Sequence, residues 1–291
     1  MAAYDEVLSK QYHSIRFYYG EYTTKNVPYR IGDNSTTVAD ETEKFYDTWK
    51  DFHLIPAERP TVALPKTNSK LISIPGRRTP IDMTEYLTGH PTYGNRTGSW
   101  MFFVDTDFVE QNGGWVAFDK NLRSKFHSKV YKIILRDDPS YFYVGELTMS
   151  PWSTGQDRSS ITISYNLYPY KKATQSSLDL WKFDDFDFQD GFIQYLKDME
   201  VTTSRIVNVY GSKERISPHI AGTGSLLIDK YENNNWVSYG SVPTPASGQT
   251  VDSLLEGQSS IIPRFIVVDG LNRIRFRGNG VVTIDYRRGL L

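Results

Sequence analysis

The chain contains no cysteine, which excludes disulfide frameworks, thiolate metal sites and cysteine nucleophiles and leaves stability to packing. It also lacks a long hydrophobic run. The longest unbroken apolar stretch is 100–104, far short of the ~20 residues a membrane helix needs, so no membrane span is expected. The first ten residues carry Asp5 and Glu6 and no apolar core, so a secretion signal is not expected either. Charge of one sign is missing: 33 basic and 34 acidic side chains leave a formal charge of −1, too little to draw the protein onto phosphate backbones or anionic lipid.

Motifs for chemistry are absent as well. There is no Gly-x-Ser-x-Gly elbow and no Gly-rich loop ending in Gly-Lys-Ser/Thr, which removes the usual signatures of serine and phosphate chemistry. His13, His53, His90, His127 and His219 are scattered without the helical pairing of a zinc motif. No catalytic residue, cofactor or metal is therefore expected. Gly222 and Gly224 make only a fragment of a glycine pattern and read as a turn between strands.

What is present points to β structure. With 291 residues, 39% of them hydrophobic, the chain has room for two domains with their own cores. Aromatics reach 14%, 20 of them Tyr, a composition that suits half-buried strand faces and protein interfaces. The chain is organised around 71–170. Apolar runs at 71–74, 99–104, 130–135, 141–147 and 161–167 read as strands around one helix near 115–126. In that helix Trp115, Phe118, Leu122 and Phe126 recur at three-and-four spacing, so one face must be covered, and the strands supply the cover. The expected class is mostly β, an α+β first domain that is sandwich-like with one main helix.

Ahead of this unit, Ile15, Phe17 and Tyr19 alternate with polar neighbours up to Gly20 and predict a strand. Residues 26–40 read as a loop. Residues 39–49 predict a short helix with Phe45, Tyr46 and Trp49 on its apolar side. Three prolines in 53–65 remove backbone donors and predict an extended, edge-like segment. Asp137, Asp138 and Pro139 mark a tight hairpin.

The polar stretch 173–177 places a boundary between domains 1–172 and 173–291. Beyond it no helix is expected. Strands at 204–210, 225–231, 235–242, 262–268, 272–277 and 281–286 suggest a β-sandwich. Hairpin tips are read at 232–235 and 277–280, the second pairing Ile274 and Phe276 with Val282, Ile284 and Tyr286. Whether strand 281–286 stays in the second domain or returns to the first is left open by the pattern.

Two clusters merit comparison with chemistry. Asp184, Asp185, Asp187 and Asp190 could offer a glycosidase its paired carboxylates. Phe186 and Phe188 alternate with Asp185 and Asp187, however, which an extended arm with aromatics in and carboxylates out explains. A calcium loop fails on a missing glycine and on Leu196 where a bidentate Glu should stand. Tyr231, Trp236 and Tyr239 lie on the two arms of one hairpin and are the candidate glycan-binding residues, against a plain reading as core or rim aromatics.

Several stretches together resemble the distal tail protein (Dit) family of long-tailed bacteriophages. They are Trp49-Lys-Asp-Phe-His-Leu-Ile-Pro-Ala-Glu-Arg-Pro60, Ile74-Pro-Gly76 and Leu87-Thr-Gly-His-Pro-Thr-Tyr-Gly-Asn-Arg96. Further along come Leu135-Arg-Asp-Asp-Pro139 with Tyr141-Phe-Tyr143, Ile161-Thr-Ile163, Pro169-Tyr-Lys171, Trp181-Lys-Phe-Asp-Asp185, and Gly278-Asn-Gly280 with Tyr286-Arg-Arg-Gly289. Their order is the family's; residues 22–48 match poorly. The resemblance implies a non-enzymatic virion protein at the distal end of the tail, made in the host cytoplasm. Its first domain would form a homo-hexameric ring on the tail tube protein, and its second, galectin-like sandwich would project outward. The ring would join the tube to the tail-associated fibre or lysin protein and surround the channel for the tape measure protein and DNA. Receptor-binding proteins or cell-wall glycan are the further partners it implies, and a glycan-binding adhesion protein is the alternative. Segments 54–65 and 130–168 are the edges nominated for contacts between ring subunits.

Overall fold

The computed structural model describes residues 12–19, 44–86, 90–154, 159–174, 176–178, 196–255 and 258–291. They fall into two units that meet in sequence between Lys171 and Lys172. Both are mostly β.

The first unit holds β1 (Ile15–Tyr19), β2 (Lys44–Asp47), β3 (Leu54–Pro56), β4 (Leu71–Ile72), β5 (Ile81–Asp82) and β6 (Arg96–Val104). Then follow α1 (Thr106–Gln111), α2 (Gly114–Phe126), β7 (Lys129–Leu135), β8 (Tyr141–Met149), β9 (Ser153–Thr154) and β10 (Ser159–Leu167). Its main sheet is antiparallel in the order β2-β1-β7-β8-β10-β6-β3, with β9 on β10. Alternation explains the strands: in β10 the odd positions from Ile161 to Leu167 are buried and the even ones are not. The predicted helix is α2, and it buries Phe118, Leu122 and Phe126. Phe126 sits among rings, with Phe17, Phe52, Tyr46 and Tyr131 at centroid distances of 5.0, 5.4, 5.7 and 5.8 Å.

Three expectations fail in this unit. Residues 44–47 are the strand β2, not the end of a helix; residues 39–43 lie outside the described residues. The reason is Asp47, whose buried carboxylate accepts the backbone N–H of Trp49 and Lys50 at 3.0 and 3.2 Å and so ends the strand in a side-chain-capped turn. Cross-strand aromatics complete the pairing: Tyr19 stacks on Tyr46 at 4.3 Å. Second, the run 71–74 is no core strand. Among the described residues Leu71 and Ile72 pair only with Asp82 and Ile81, in a separate two-stranded sheet. Third, a further short helix, α1, precedes the one the periodicity predicts; Asp105 caps it by accepting from the Asp107 N–H.

The proline-rich segment does lie at a sheet edge. β3 pairs with β6 through 54–56 and ends the sheet order. Beyond Ala57, whose N–H still donates to the Met101 carbonyl at 2.8 Å, side chains replace the ladder. The Trp100 indole donates to the Thr61 carbonyl at 2.8 Å, the Ala63 N–H donates to the Tyr165 hydroxyl at 3.0 Å, and Arg96 Nη1 donates to the Ala63 carbonyl at 3.0 Å. A segment short of N–H donors is thereby held by the strands beneath it.

The second unit begins within β11 (Lys171–Ala173) and holds β12 (Met199–Val201), β13 (Ser204–Gly211), β14 (His219–Glu232) and β15 (Asn235–Ser241). After these come α3 (Val251–Leu255), a 3-10 turn at Gln258–Ser260, β16 (Gly270–Asp285) and β17 (Gly289–Leu290), which pairs with β11. The main sheet has five strands, in the order β12-β16-β14-β15 with β13 also on β16. Its spine is β16, which pairs with β14 from Ile274 to Asp285 and, on its other side, with β13 and then β12. Ile228, Ile274, Phe276, Val282 and Ile284 make the core together with Phe265 and Val267.

Two expected turns prove to be strand interior. Residues 277–280 are not a hairpin tip, so Ile274 and Phe276 lie along one strand with Val282 and Ile284 instead of facing them. Residues 222–224 likewise lie within β14, not between strands. The glycines are needed for close approach: a Cβ on Gly280 would stand 1.9 Å from the Thr223 carbonyl oxygen, and one on Gly224 2.2 Å from that of Asn279. Glycine here marks two backbones in contact, as it does at sheet bends. The tip at 232–235 is real: Glu232 pairs with Asn235, and Asn233 and Asn234 take positive φ of 48° and 63°, as a type I′ turn requires. Residues 262–268 form no regular strand, only a bridge from Val267 to Ile216, and the short helix α3 stands where no helix is expected. Strand 281–286 belongs, through Asp285, to β16 of the second unit.

Candidate interaction surfaces

In the second unit the alternation of β16 sorts its side chains by face. Ile274 and Phe276 are buried, while Arg273, Arg275 and Arg277 point the other way. Register brings Leu227, Asp229 and Tyr231 of β14 onto that outer face, beside Trp236 of β15. Ile206 and Tyr210 of β13 and Leu271 are exposed along it.

Asp229 is the electrostatic centre. Its buried carboxylate accepts from Arg277 Nε and Nη2 at 2.7 and 2.9 Å and from Arg275 Nε at 2.9 Å. Burial pushes its pKa up, but the hydrogen bonds and charges of Arg277 and Arg275 outweigh that and hold it below the ordinary carboxylate value. Arg275 also lies over the Trp236 ring at 4.4 Å, and Arg273 lies over Tyr231 at 5.1 Å.

Of the candidate glycan residues, Tyr231 and Trp236 are brought together, edge to face at 5.3 Å. Tyr239 is on the opposite side. It packs on the core residue Phe265 at 5.2 Å and donates to Glu232 at 2.9 Å, and burial followed by that bond pushes its pKa up to about 12. One face of the Trp236 indole is therefore covered by a guanidinium, and the trio is not one platform. The alternation of Arg273, Arg275 and Arg277 along the sequence hints that they share a face, but their partners Asp229 and Trp236 are supplied only by the register.

In the first unit, β3 is an edge as nominated, but β7, β8 and β10 of segment 130–168 are each paired on both sides. The other end of the sheet is β2. Exposed apolar side chains gather elsewhere, on Leu64, Leu71, Ile72, Ile74 and Tyr86, and on Val116 of α2. Trp115 and Trp152 stack at 5.1 Å beside α2.

The histidines sit apart. His13 meets Asp137 at 2.9 Å, His53 lies 3.4 Å from Asp105, His127 accepts the Met149 N–H at 3.2 Å, and His219 bonds Ser260 at 2.6 Å. Among the described residues no group of three or more metal-ligating side chains forms, and no helix is long and apolar enough to cross a membrane. Asp184, Asp185, Asp187 and Asp190 lie outside the described residues.

No family model matches the sequence, and no curated protein matches it. Among solved structures the chain is similar to the SPP1 Dit protein (gp 19.1), described as a paradigm of the hub of the adsorption apparatus in phages that infect Gram-positive bacteria. The likeness has a TM-score of 0.53 at 14% identity and covers 84% of this chain and 96% of that one. The fold is that of a Dit hub protein. A second likeness, to the activated baseplate of phage P2 with calcium, covers 95% of this chain and 98% of that one at 8% identity and a TM-score of 0.35, too low to speak for a shared architecture. The Dit fold accommodates both units, since the likeness extends over most of both chains.

Proposed function

We propose that this chain is the subunit of a hexameric ring at the distal end of a phage tail. The ring joins the tail tube to the tail-associated fibre or lysin protein and surrounds the channel for the tape measure protein and DNA. The observation that supports it is the Dit fold, shared over nearly the whole length of the SPP1 hub protein. On this reading residues 1–172 form the ring and residues 173–291 a galectin-like body directed outward, where receptor-binding proteins are the partners to expect. The role is structural, not catalytic. A formal charge of −1 suits a channel wall that DNA must slide past, since clustered cations would grip phosphates.

The test is the native mass of the purified full-length protein. Six copies of a 33.4 kDa chain give about 200 kDa, and a mass of one or two copies at high concentration overturns the reading.

A second reading, attachment to cell-wall glycan, draws on the half-buried Tyr231 and Trp236 of the outer sheet face. It requires sedimentation with host cell walls that is lost in Trp236→Ala. Cosedimentation untouched by that substitution, or none at all, removes it.

A further inference from the structure

The outer face of the second unit's main sheet carries more than its own stability requires. Asp229, with Arg275 and Arg277 closed over it, ties β14 to β16 and accounts for those two arginines. Arg273 stands outside that network. It is exposed, has no ion-pair partner among the described residues, and lies over the Tyr231 and Trp236 rings at 5.1 and 5.9 Å.

Apolar side chains surround it in the open: Leu271 is 52% exposed, Ile206 51%, Tyr210 45% and Leu227 43%. Register makes them one patch. Ile206 stands opposite Arg275, Tyr210 opposite Leu271 and Leu227 opposite Arg277. Arginine and aromatic rings among exposed aliphatic groups are the composition of an interface core. The patch is also rigid before anything binds. Arg275 is held by Asp229 on one side and lies over the Trp236 ring at 4.4 Å on the other, so it has little freedom left to lose on contact.

Charge selects the occupant. Three arginines against Asp229 leave the patch with excess positive charge. The acids at its ends do not cancel this: Glu200 of β12 stands beyond Arg277, in register with Val281, and Asp269 is paired with Lys213 at 2.6 Å. A second copy of the chain would bring the same excess, and like faces repel. A sugar or phosphate polymer would use the arginines and one ring but leave the apolar side chains in water, whereas a protein surface buries them.

We propose that this face, with Ile206, Tyr210, Leu227 and Leu271 around Arg273 and Arg275, docks a partner protein whose contact surface sets aspartate or glutamate among apolar side chains. This deepens the reading of the second unit as a body directed at outward partners, and rests on it, by naming the face and the chemistry it takes.

The experiment is fluorescence anisotropy of short labelled peptides with the full-length protein. One library is built from Asp, Glu, Leu and Phe; a matched library has Lys in place of the acids, and polyglycerol phosphate is the third probe. The variants are Arg273→Glu, and Leu271→Ser with Ile206→Ser. All three positions are exposed, and an unchanged circular-dichroism melt confirms that each variant folds.

The expected result is a set of binders in the acidic library and none in the lysine library, with each variant weakening those binders at least about ten-fold. Added salt should weaken them too. An acidic library without binders, binders that either variant leaves untouched, or a preference for the lysine peptides or for polyglycerol phosphate overturns the inference. Native mass, measured alongside, keeps the two readings apart. A six-copy wild type without acidic binders sinks this inference alone, and a wild type of one or two copies sinks the ring whatever the peptides do.

Discussion

Asp229 shows how one side chain organises a surface. Its carboxylate lies on the outer face of a sheet, where it would normally be solvated, but it is buried because Arg275 and Arg277 close over it. A carboxylate whose pKa is lowered by folding contributes stability above its unfolded pKa, near 3.9, and loses it as pH falls through the lower folded value. Asp229→Asn should therefore cost about 1–3 kcal/mol at pH 7. Its deficit against wild type should shrink as pH is taken below about 4, and urea unfolding at pH 7 and pH 3 measures this. Phe126 makes the complementary case in the first unit. Fully buried among four aromatic rings, it should cost about 3–5 kcal/mol on change to Ala, read by the same unfolding curves.

Among the elements β16 is the most instructive. Gly278 and Gly280 look like the centre of a hairpin, because glycine is the usual residue of tight turns. They serve instead to let β14 and β16 touch, so Gly280→Ala, with its Cβ 1.9 Å from the Thr223 carbonyl, should destabilise by at least about 2 kcal/mol. Alanine in a solvent-exposed turn without such contact would cost far less, and a melting curve separates the two cases. Periodicity made α2, β1 and the strands of 130–167 legible, because each has one face in and one out. It misplaced 44–47, where a three-residue aromatic pattern fits helix or strand and the decision rests on Asp47 capping a turn. It misplaces 71–74 too, since three apolar residues in four look the same in a core and on an arm. What sequence alone could not give was the outer Arg face: its side chains meet only when register aligns β14, β15 and β16.

At the scale of the molecule, two mostly β units share a Dit fold with a phage hub protein at 14% identity. Core alternation survives at such identity because it constrains polarity and not residue type. The resemblance seen in short motifs and the likeness of folds are independent, one from local residues and the other from topology. They agree on the fold, and the proposed role of a subunit that acts by assembling is built on it. Class-averaged electron micrographs of the purified protein test that most directly. The account predicts a six-fold ring with an open central hole, and single compact particles without a ring at high concentration would contradict it.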